Sequence, residues 1–276
     1  MASDTTEIGS DGWSAGLGHV DGRLTITWLR YVGVDRLGPA GCPLIAPWFG
    51  RLDRHGYETL GRSVTLDERD PRLDHDAEGR PLHGLRTFES DWVIERSDAA
   101  TITATTTALA GPAFPFPHEL RVTVHLSRDG LTLTTVLKAG MQGPVPVGFG
   151  WHPYLVAGGD PVDRWTVDLP FVEQVVLDRL LPDGTTVAVD LVPTRMRSRD
   201  DCFVARPGAV AEVVGPSTTT TLTLVEGFGW AMVWSPNDAA FVCVEPMAGP
   251  LLALCDHSSG PVVPAGRRHS ATFTLT

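Results

Sequence analysis

His152 is the residue of this chain whose setting best suits acid–base chemistry. It lies in the segment Val-Gly-Phe-Gly-Trp-His-Pro-Tyr at residues 147–154, where an apolar strand ends at the histidine and Pro153 restricts the backbone after it. The two glycines of the segment leave room for either a neighbouring chain segment or a ligand to approach the backbone. Because a His-Pro pair alone is equally typical of a hydrogen-bonded core histidine, other residues must decide between the two interpretations.

Glu245 is the second candidate for acid–base chemistry. It ends the run Phe-Val-Cys-Val-Glu at residues 241–245, directly before a proline. In a strand, Glu245 faces the same side as Phe241 and Cys243, so a carboxylate is carried on a partly apolar face. Burying an ionised carboxylate costs several kcal/mol unless a group pairs with it. Glu245 therefore indicates either a buried arginine partner or a catalytic role.

Three more residues are candidates for binding a ligand, and each has a simpler explanation. Arg51 lies in an aromatic segment, where its stem could also pack on Trp48. His83 follows a long polar loop and precedes a glycine, a position that suits either a binding residue or an idle exposed histidine. Asp200 follows an arginine-rich stretch and could instead form an Asx-turn or pair with a neighbouring arginine.

The elements that must position these residues are strands. Apolar and polar residues alternate over most of the 276-residue chain, Gly and Pro are dispersed, and no long segment has helical periodicity. The sequence predicts an all-β fold with little helix. The clearest hairpin joins the alternating runs 119–126 and 131–137 through Arg-Asp-Gly at residues 128–130. We expect residues 1–12 to be a flexible N-terminus and residues 13–276 to form a single β-sandwich domain.

The composition limits the partners that this chain is expected to bind. A formal net charge of −11 disfavours nucleic acid and anionic membranes, and no stretch is apolar for long enough to span a bilayer. The first residues lack the features of a secretory signal, which predicts a cytoplasmic protein with free cysteine thiols. The nine histidines form no metal-binding motif. We expect a small-molecule ligand, no metal, no cofactor, and a monomer or homodimer.

Taken together and in order, these segments resemble the aldose 1-epimerase (galactose mutarotase) family. The most specific matches are His-Pro-Tyr at residues 152–154 and Glu-Pro-Met-Ala-Gly-Pro at residues 245–250. The weaker matches are Pro-Trp-Phe-Gly-Arg at 47–51, Leu-His-Gly at 82–84, Asp-Asp-Cys-Phe at 200–203 and Val-Pro-Ala-Gly-Arg at 263–267. The resemblance covers the chain from about residue 40 onward.

The resemblance implies a large antiparallel β-sandwich, the galactose mutarotase-like supersandwich, with a sugar cleft on its concave face. It implies that His152 is the general acid and Glu245 the general base, and that Arg51, His83 and Asp200 bind the sugar. The family has Asp-His-Asn-Phe where this chain has Asp-Asp-Cys-Phe, so Asp201 is the alternative to Asp200 as the sugar-binding aspartate. The segment before residue 47 is short for the opening strands of this family, and the family's asparagine upstream of Leu-His-Gly is not evident.

Anomer interconversion suits this set of residues. The reaction opens the hemiacetal ring and closes it again, which needs a base at the anomeric hydroxyl and an acid at the ring oxygen. We expect burial of Glu245 and a negative charge near His152 to bring both pKa values towards neutrality, and Arg51 to stabilise the charge that develops on oxygen. Trp48 and Trp151 are the tryptophans nearest the motifs and could contact the sugar's C–H face.

Three alternatives to the reaction of a free aldohexose stay open. Arg195, Arg197 and Arg199 share one face of an extended segment just before Asp200, which would suit a hexose-6-phosphate epimerase. Two carboxylates, Asp200 and Glu245, could in principle cleave a glycoside. The third alternative is a sugar-binding or pathway-specific protein with the same fold, because fold alone does not determine activity.

Overall fold

Nearly all regular structure in this protein is β-strand. The computed structural model describes residues 5–195, 198–237, 239–255 and 260–276. Two short 3-10 helices occur in these ranges, at Glu89–Asp91 and Val162–Arg164. None of the helices in the described ranges has the length and apolar character needed to cross a membrane. The predicted all-β fold with little helix is confirmed.

The strands are numbered in chain order. The first thirteen are β1 Thr6–Ser10, β2 Trp13–Val20, β3 Arg23–Tyr31, β4 Val34–Asp35, β5 Cys42–Ile45, β6 Gly56–Thr59, β7 Arg62–Thr65, β8 Leu73–His75, β9 Pro81–Leu85, β10 Val93–Arg96, β11 Thr101–Thr106, β12 His118–Ser127 and β13 Gly130–Ala139. The later strands are β14 Val145–Pro146, β15 Gly150–Trp151, β16 Tyr154–Leu155, β17 Thr166–Asp168, β18 Glu173–Asp178, β19 Leu181–Ala188, β20 Thr194–Arg195, β21 Arg199–Val204, β22 Val210–Val214, β23 Thr219–Glu226, β24 Trp230–Ser235, β25 Val242–Met247, β26 Val262–Val263 and β27 Arg268–Leu275.

Two large antiparallel sheets contain most of these strands. The 12-stranded sheet has the order β1-β2-β3-β5-β15-β25-β24-β21-β18-β19, with β16 added beside β25 and β4 beside β3. The 9-stranded sheet has the order β10-β11-β12-β13-β27-β23-β22-β17-β20. Both sheets contribute to one hydrophobic core, for example through Leu17 and Val244 of the first and Val122 and Phe273 of the second. The expected large antiparallel β-sandwich is confirmed.

The hairpin of β12 and β13 forms as the sequence predicts. Its strands pair from His118 with Ala139 to Ser127 with Gly130, so Arg128 and Asp129 form a two-residue loop. Alternate residues of β12 are buried, which matches the alternating apolar pattern of the sequence. One face of this hairpin therefore packs on the core while the other carries the polar side chains.

The N-terminal segment differs from the sequence-based expectation. Thr6–Ser10 forms β1, which pairs with β2, and Ile8 is buried in the core. Within the segment expected to be flexible, Thr6–Ser10 is therefore a paired strand, because the apolar Ile8 gains contacts there. Five strands precede Pro47, so this segment has room for an edge of the large sheet.

Strand β25 has side chains buried on both of its faces. Val242 and Val244 belong to the main core, whereas Met247 belongs to a smaller apolar cluster on the opposite face. That second cluster consists of Ile45, Phe49, Cys202, Met232, Met247 and Leu251. Because Cys243 and Glu245 alternate with the two valines, they lie on the same side as Met247. The smaller cluster marks the face of the sheet that forms the cleft.

Candidate active site

The five residues that the sequence singles out lie around one cleft. Arg51, His83, His152, Asp200 and Glu245 all line a cavity of about 320 Å³. Apolar side chains of the smaller cluster complete its walls. Ligand sites typically measure roughly 300–1,000 Å³, so the cavity is of a size that suits a small molecule. The fold therefore brings together residues that are up to about 190 positions apart in the sequence.

Neighbouring strands hold the acidic residues of the cleft in register. Asp200 of β21 is opposite Trp234 of β24, and Trp234 is opposite Cys243 of β25. One step along, Met232 is opposite Glu245. Residues directly opposite each other in an antiparallel pair point to the same face of the sheet. The sheet therefore places Asp200 and Glu245 on one surface, with the aromatic and thioether side chains of β24 between them.

His152 is held by backbone and aromatic contacts at the break between β15 and β16. Its backbone N–H donates a hydrogen bond to the Pro43 carbonyl oxygen over 3.0 Å. Its ring stacks on Tyr154, with centroids 4.8 Å apart and an interplanar angle of 18°. The rings of Phe49 and Trp234 lie 6.4 Å and 5.8 Å away. These contacts limit the orientations that the imidazole can adopt.

The glycines before His152 accommodate neighbouring protein segments. A Cβ atom on Gly150 would lie 2.6 Å from the carbonyl oxygen of Pro246, and a Cβ atom on Gly148 would lie 3.0 Å from that of Pro47. The sequence left two explanations open for these glycines, a neighbouring segment or a ligand. The structure favours the neighbouring segment, because β15 is packed closely between its partners.

Glu245 and His152 meet at the bottom of the cleft. The Glu245 Oε1 atom lies 3.2 Å from His152 Nε2, and the carboxylate side chain is only 2% exposed. The alignment does not satisfy hydrogen-bond geometry, so Glu245 Oε1 has no hydrogen-bond partner among the described residues. His152 Nδ1, the other ring nitrogen, also has none among them. The salt-bridge contact found for Glu245 is to this histidine rather than to a buried arginine.

Burial shifts the pKa values of the pair in opposite directions. Burial raises the pKa of the Glu245 carboxyl well above its usual range, and the negative charge of Asp200 adds to this effect while Arg51 opposes it. Burial lowers the pKa of His152 to about 4, with the positive charge of Arg23 acting in the same direction. The expected rise of the His152 pKa is wrong, because desolvation of the imidazolium dominates.

Arg51 is fixed by an acidic residue and points into the cleft. Its Nε atom donates to Asp76 Oδ2 over 3.0 Å, and Asp76 also accepts a hydrogen bond from Arg80. Against the opposing effect of burial, the Arg80 side chain and the backbone N–H groups of Glu78 and Arg80 lower the pKa of the Asp76 carboxyl to about 2. Arg51 is thus an ordered cation at the cleft. The alternative of a snorkelling arginine with its charged end in solvent does not describe this arrangement, because the Arg51 side chain is 20% exposed and paired with Asp76.

His83 occupies a left-handed backbone conformation, with φ at +59°. Its backbone N–H donates to the Gly50 carbonyl oxygen over 2.8 Å, and its carbonyl oxygen accepts a hydrogen bond from Arg23 over 2.7 Å. Gly84 also has a positive φ, and a Cβ atom at this position would overlap the Ala46 carbonyl oxygen. The glycine of Leu-His-Gly is therefore required by the backbone path that turns His83 into the cleft.

Arg23 is a charged cleft residue that sequence reasoning missed. It lines the cavity, is largely buried, and donates to Asp74 Oδ2 over 2.7 Å as well as to the His83 carbonyl oxygen. Arg86 contacts the same Asp74 from a more exposed position. In the sequence, Arg23 is one polar residue at the start of an alternating strand. Nothing in that pattern distinguishes Arg23 from a surface arginine.

The aromatic wall of the cleft also differs from the expectation. Trp48 and Trp151 are almost fully buried in the core, and Trp151 Nε1 donates to Thr135 of the other sheet. They do not line the cleft. Tyr154 and Trp234 do line it. Trp234 was not singled out, because only the pairing of β24 between β21 and β25 shows which way its ring points.

The structure distinguishes Asp200 from Asp201. Asp200 lines the cleft, and burial raises the pKa of its carboxyl, an effect that Arg51 opposes and the charge of Asp201 reinforces. Asp201 instead accepts hydrogen bonds from Arg199 over 2.9 Å and from Gln174 over 3.2 Å. Successive strand residues point to opposite faces, so Asp201 is turned away from the cleft. Asp200 is the one that can contact a ligand.

The arginines before Asp200 do not form a cluster at the cleft. Arg199 is paired with Asp201, and Arg195 is exposed on β20 of the 9-stranded sheet. Arg197 lies outside the described residues. The arginines that line the cleft are Arg23 and Arg51, and each is already paired with an aspartate. The described part of the chain thus provides no unpaired arginine fork at this site.

Comparison with known proteins agrees with the resemblance of the motifs. The family model for aldose 1-epimerase matches residues 32–276. The chain belongs to the aldose 1-epimerase family. The uncharacterized protein YihR of Escherichia coli strain K12 is 24% identical to it over 246 residues, which cover 84% of this chain and 77% of YihR.

Solved structures share the fold of this member of the family. A galactose mutarotase-like protein from Clostridium acetobutylicum has a TM-score of 0.83 at 14% identity, covering 99% of this chain and 95% of its own. The GalM/aldose epimerase homologue from C. elegans has a TM-score of 0.80 at 13% identity, covering 100% and 98%. These similarities establish the galactose mutarotase-like fold.

Proposed function

We propose that this protein is an aldose 1-epimerase that interconverts the α and β anomers of a free aldohexose by acid–base ring opening and closing. The observation that carries the proposal is the pair of His152 and Glu245, whose Nε2 and Oε1 atoms lie 3.2 Å apart at the bottom of the cleft. The anomeric hydroxyl and the ring oxygen of an aldose are bonded to the same carbon. An acid and a base that serve both oxygens must therefore border the same small region of the cleft, as His152 and Glu245 do.

One proton held by the pair is sufficient for the reaction. During ring opening the base takes a proton from the anomeric hydroxyl, and the acid gives another proton to the ring oxygen. The pair therefore holds one proton before and after each step. With Glu245 as base and His152 as acid, the proton starts on the imidazole and ends on the carboxyl. Ring closure on either face of the carbonyl returns it. Both anomers are therefore served without a net change in protonation.

The other cleft residues have roles that follow from their chemistry. Arg51 supports the negative charge that develops on oxygen when the ring opens. Asp200 and His83 bind sugar hydroxyls, because a carboxylate accepts hydrogen bonds and a neutral imidazole both donates and accepts them. Burial, with the positive charges around it, keeps the pKa of His83 well below its usual value, so His83 is neutral. The walls of Tyr154 and Trp234 suit the apolar face of a pyranose.

No observation favours the phosphate or glycosidase alternatives. A phosphate would be expected to meet unpaired arginines, whereas Arg23, Arg51 and Arg199 are each paired with an aspartate. A glycosidase needs two carboxyl groups as its acid and base, whereas the closest partner of Glu245 is His152. Localisation in the cytoplasm and the monomeric or dimeric state stay predictions.

Polarimetry of freshly dissolved α-D-glucose and α-D-galactose tests the proposal. We expect the protein to accelerate the approach to the final rotation without changing its value, and we expect His152→Ala to lose the acceleration. A rate equal to that of buffer alone for both sugars would overturn the proposal. Calorimetry of sugar binding would then identify a non-catalytic binding protein, glucose 6-phosphate would reveal a phosphate-specific enzyme, and release of nitrophenol from aryl glycosides would indicate a glycosidase.

A further inference from the structure

Cys243 has no role in the proposed reaction, yet its thiol lies beside the acid–base pair. Cys243 precedes Glu245 by two residues on β25, so both side chains point to the same face of the sheet. Its neighbour across the sheet on the other side is Tyr154 of β16, next to His152. The Sγ atom, a His152 ring nitrogen and a Glu245 carboxylate oxygen all lie within 4.8 Å of one another.

These three atoms are the types of ligand that zinc takes in proteins, namely thiolate sulfur, imidazole nitrogen and carboxylate oxygen. With zinc–ligand distances of roughly 2.0–2.3 Å, a cation between them would require only small side-chain movements. One thiolate and one carboxylate would balance the charge of a divalent cation. Such a cation would also provide the partner that the buried Glu245 Oε1 lacks among the described residues.

The remaining coordination position would face the cleft. His152 and Glu245 line the cavity, whereas Cys243 is fully buried behind them. A cation held by all three side chains would occupy the place of the reacting oxygens of a sugar. We propose that His152, Cys243 and Glu245 form a reversible binding site for a thiophilic divalent cation such as Zn²⁺, and that the bound cation excludes sugar.

The surroundings of the site favour reversible binding over a resident metal. Histidines that hold structural or catalytic zinc usually donate their second ring N–H to a carboxylate, carbonyl or water, which fixes the ring and strengthens the ligand. His152 Nδ1 has no such partner among the described residues. The three side chains therefore lack the supporting hydrogen bond that is typical of a resident zinc site. A chelator should remove the cation.

Direct metal binding to the full-length protein tests this inference. After treatment with a chelator, Zn²⁺ binding is measured by calorimetry, and Co²⁺ is added separately to detect the charge-transfer absorption of a cobalt–thiolate bond. We expect one Zn²⁺ per chain and a thiolate band with Co²⁺. Cys243→Ala should abolish the band and weaken Zn²⁺ binding by about tenfold or more, as expected for the loss of a ligand.

Cys202→Ala is the matched control, because Cys202 is a buried free cysteine on the cleft side of the same sheet. This variant should keep the Co²⁺ band and bind Zn²⁺ within about twofold of the wild-type protein. Cys243→Ser is the second variant if Cys243→Ala does not fold. Unchanged Zn²⁺ affinity in a folded Cys243 variant, or no thiolate band in the wild-type protein, would overturn the site.

Sugar exclusion is tested separately from metal binding. Saturating Zn²⁺ should abolish the binding of sugar in calorimetry, and the chelator should restore it. Normal sugar binding in the Zn²⁺-loaded protein would overturn the proposed exclusion. Because these measurements record binding and not turnover, they distinguish a failure of this inference from a failure of the proposed epimerase activity.

Discussion

Strands β12 and β25 carry glutamates in opposite environments. In β12, alternate residues are buried, and Glu119 lies on the more accessible face, opposite Lys138 of β13. In β25, every residue is buried, so Glu245 has apolar packing on both sides of its strand. Both strands belong to large antiparallel sheets of the same fold. The difference lies in what covers the second face of each strand.

This difference explains why one glutamate suits catalysis and the other does not. A carboxylate on an accessible face stays hydrated, and its pairs contribute little to stability. The cleft walls around Glu245 exclude water, so the charged form is costly and the pKa of the carboxyl rises. A base with a raised pKa accepts a proton more readily at neutral pH. Burial thus destabilises the ionised form of Glu245, and the same burial suits this glutamate to acid–base chemistry.

The largest expected effect is the loss of turnover when Glu245 is neutralised, with Glu119 as the comparison. Glu245→Gln should reduce kcat by about 10²–10⁴-fold, the usual range for loss of a general base, while most sugar binding is retained. Glu119→Gln should leave kcat unchanged. Polarimetry gives the rates and calorimetry gives the binding. Unchanged turnover in a folded Glu245→Gln protein would refute the assignment of the base.

The next effect separates the adjacent aspartates of β21. Asp200→Ala should raise KM by roughly 10- to 100-fold, because a hydrogen bond to a charged group contributes about 1.5–3 kcal/mol. Asp201→Ala should change KM by less than about twofold, since Asp201 contacts Arg199 and Gln174 outside the cleft. Initial rates over a range of sugar concentrations measure both. Equal effects of the two substitutions would contradict the assignment of faces on β21.

The pH dependence of stability reports the pKa shifts of the pair. The raised pKa of Glu245 means that the folded state binds more protons there than the unfolded chain does, whereas the lowered pKa of His152 means that it binds fewer, so in the wild-type protein the two contributions oppose each other. In Glu245→Gln only the histidine remains. Because its folded pKa of about 4 lies below its unfolded value, the unfolded state binds more protons and stability falls as the pH falls.

Denaturation of both proteins at pH 6.5 and pH 5 checks this. Glu245→Gln should lose about 1.5 kcal/mol of unfolding free energy through His152 over this interval, and the wild-type protein should lose less because Glu245 opposes the change. Other titrating groups are common to both proteins and cancel in the comparison. Parallel loss of stability in the two proteins would show that the pKa of Glu245 is not raised, and no loss in Glu245→Gln would show that burial does not hold His152 in its neutral form.

The smallest expected effect concerns Arg23 and Arg86, which share Asp74. Arg23→Ala removes the donor to the His83 carbonyl oxygen, so we expect kcat/KM to fall by about fivefold, equivalent to about 1 kcal/mol. Arg86→Ala also removes a partner of Asp74 but leaves His83 in place, and should have little effect. If both variants lost the same activity, the ion pair with Asp74 would matter rather than the support of His83.

Much of the fold could be predicted from the sequence because the signals are local. Alternation of apolar and polar residues over residues 119–126 and 131–137 specifies two paired strands, and Arg-Asp-Gly specifies their turn. The same reasoning did not predict the strand at Thr6–Ser10. A short strand such as Thr6–Ser10 has one buried apolar residue, and its pairing with β2 provides the stability that its own sequence does not indicate.

By itself, the sequence determined the chemical groups and the family. His152 and Glu245 were found because a histidine before proline and a carboxylate in an apolar strand are locally unusual, and the ordered motifs supplied Arg51, His83 and Asp200. The tertiary structure decided which of these groups meet. It excluded Asp201 from the cleft, added Arg23, and reversed the expected shift of the His152 pKa, because strand pairing and burial depend on segments far apart in the chain.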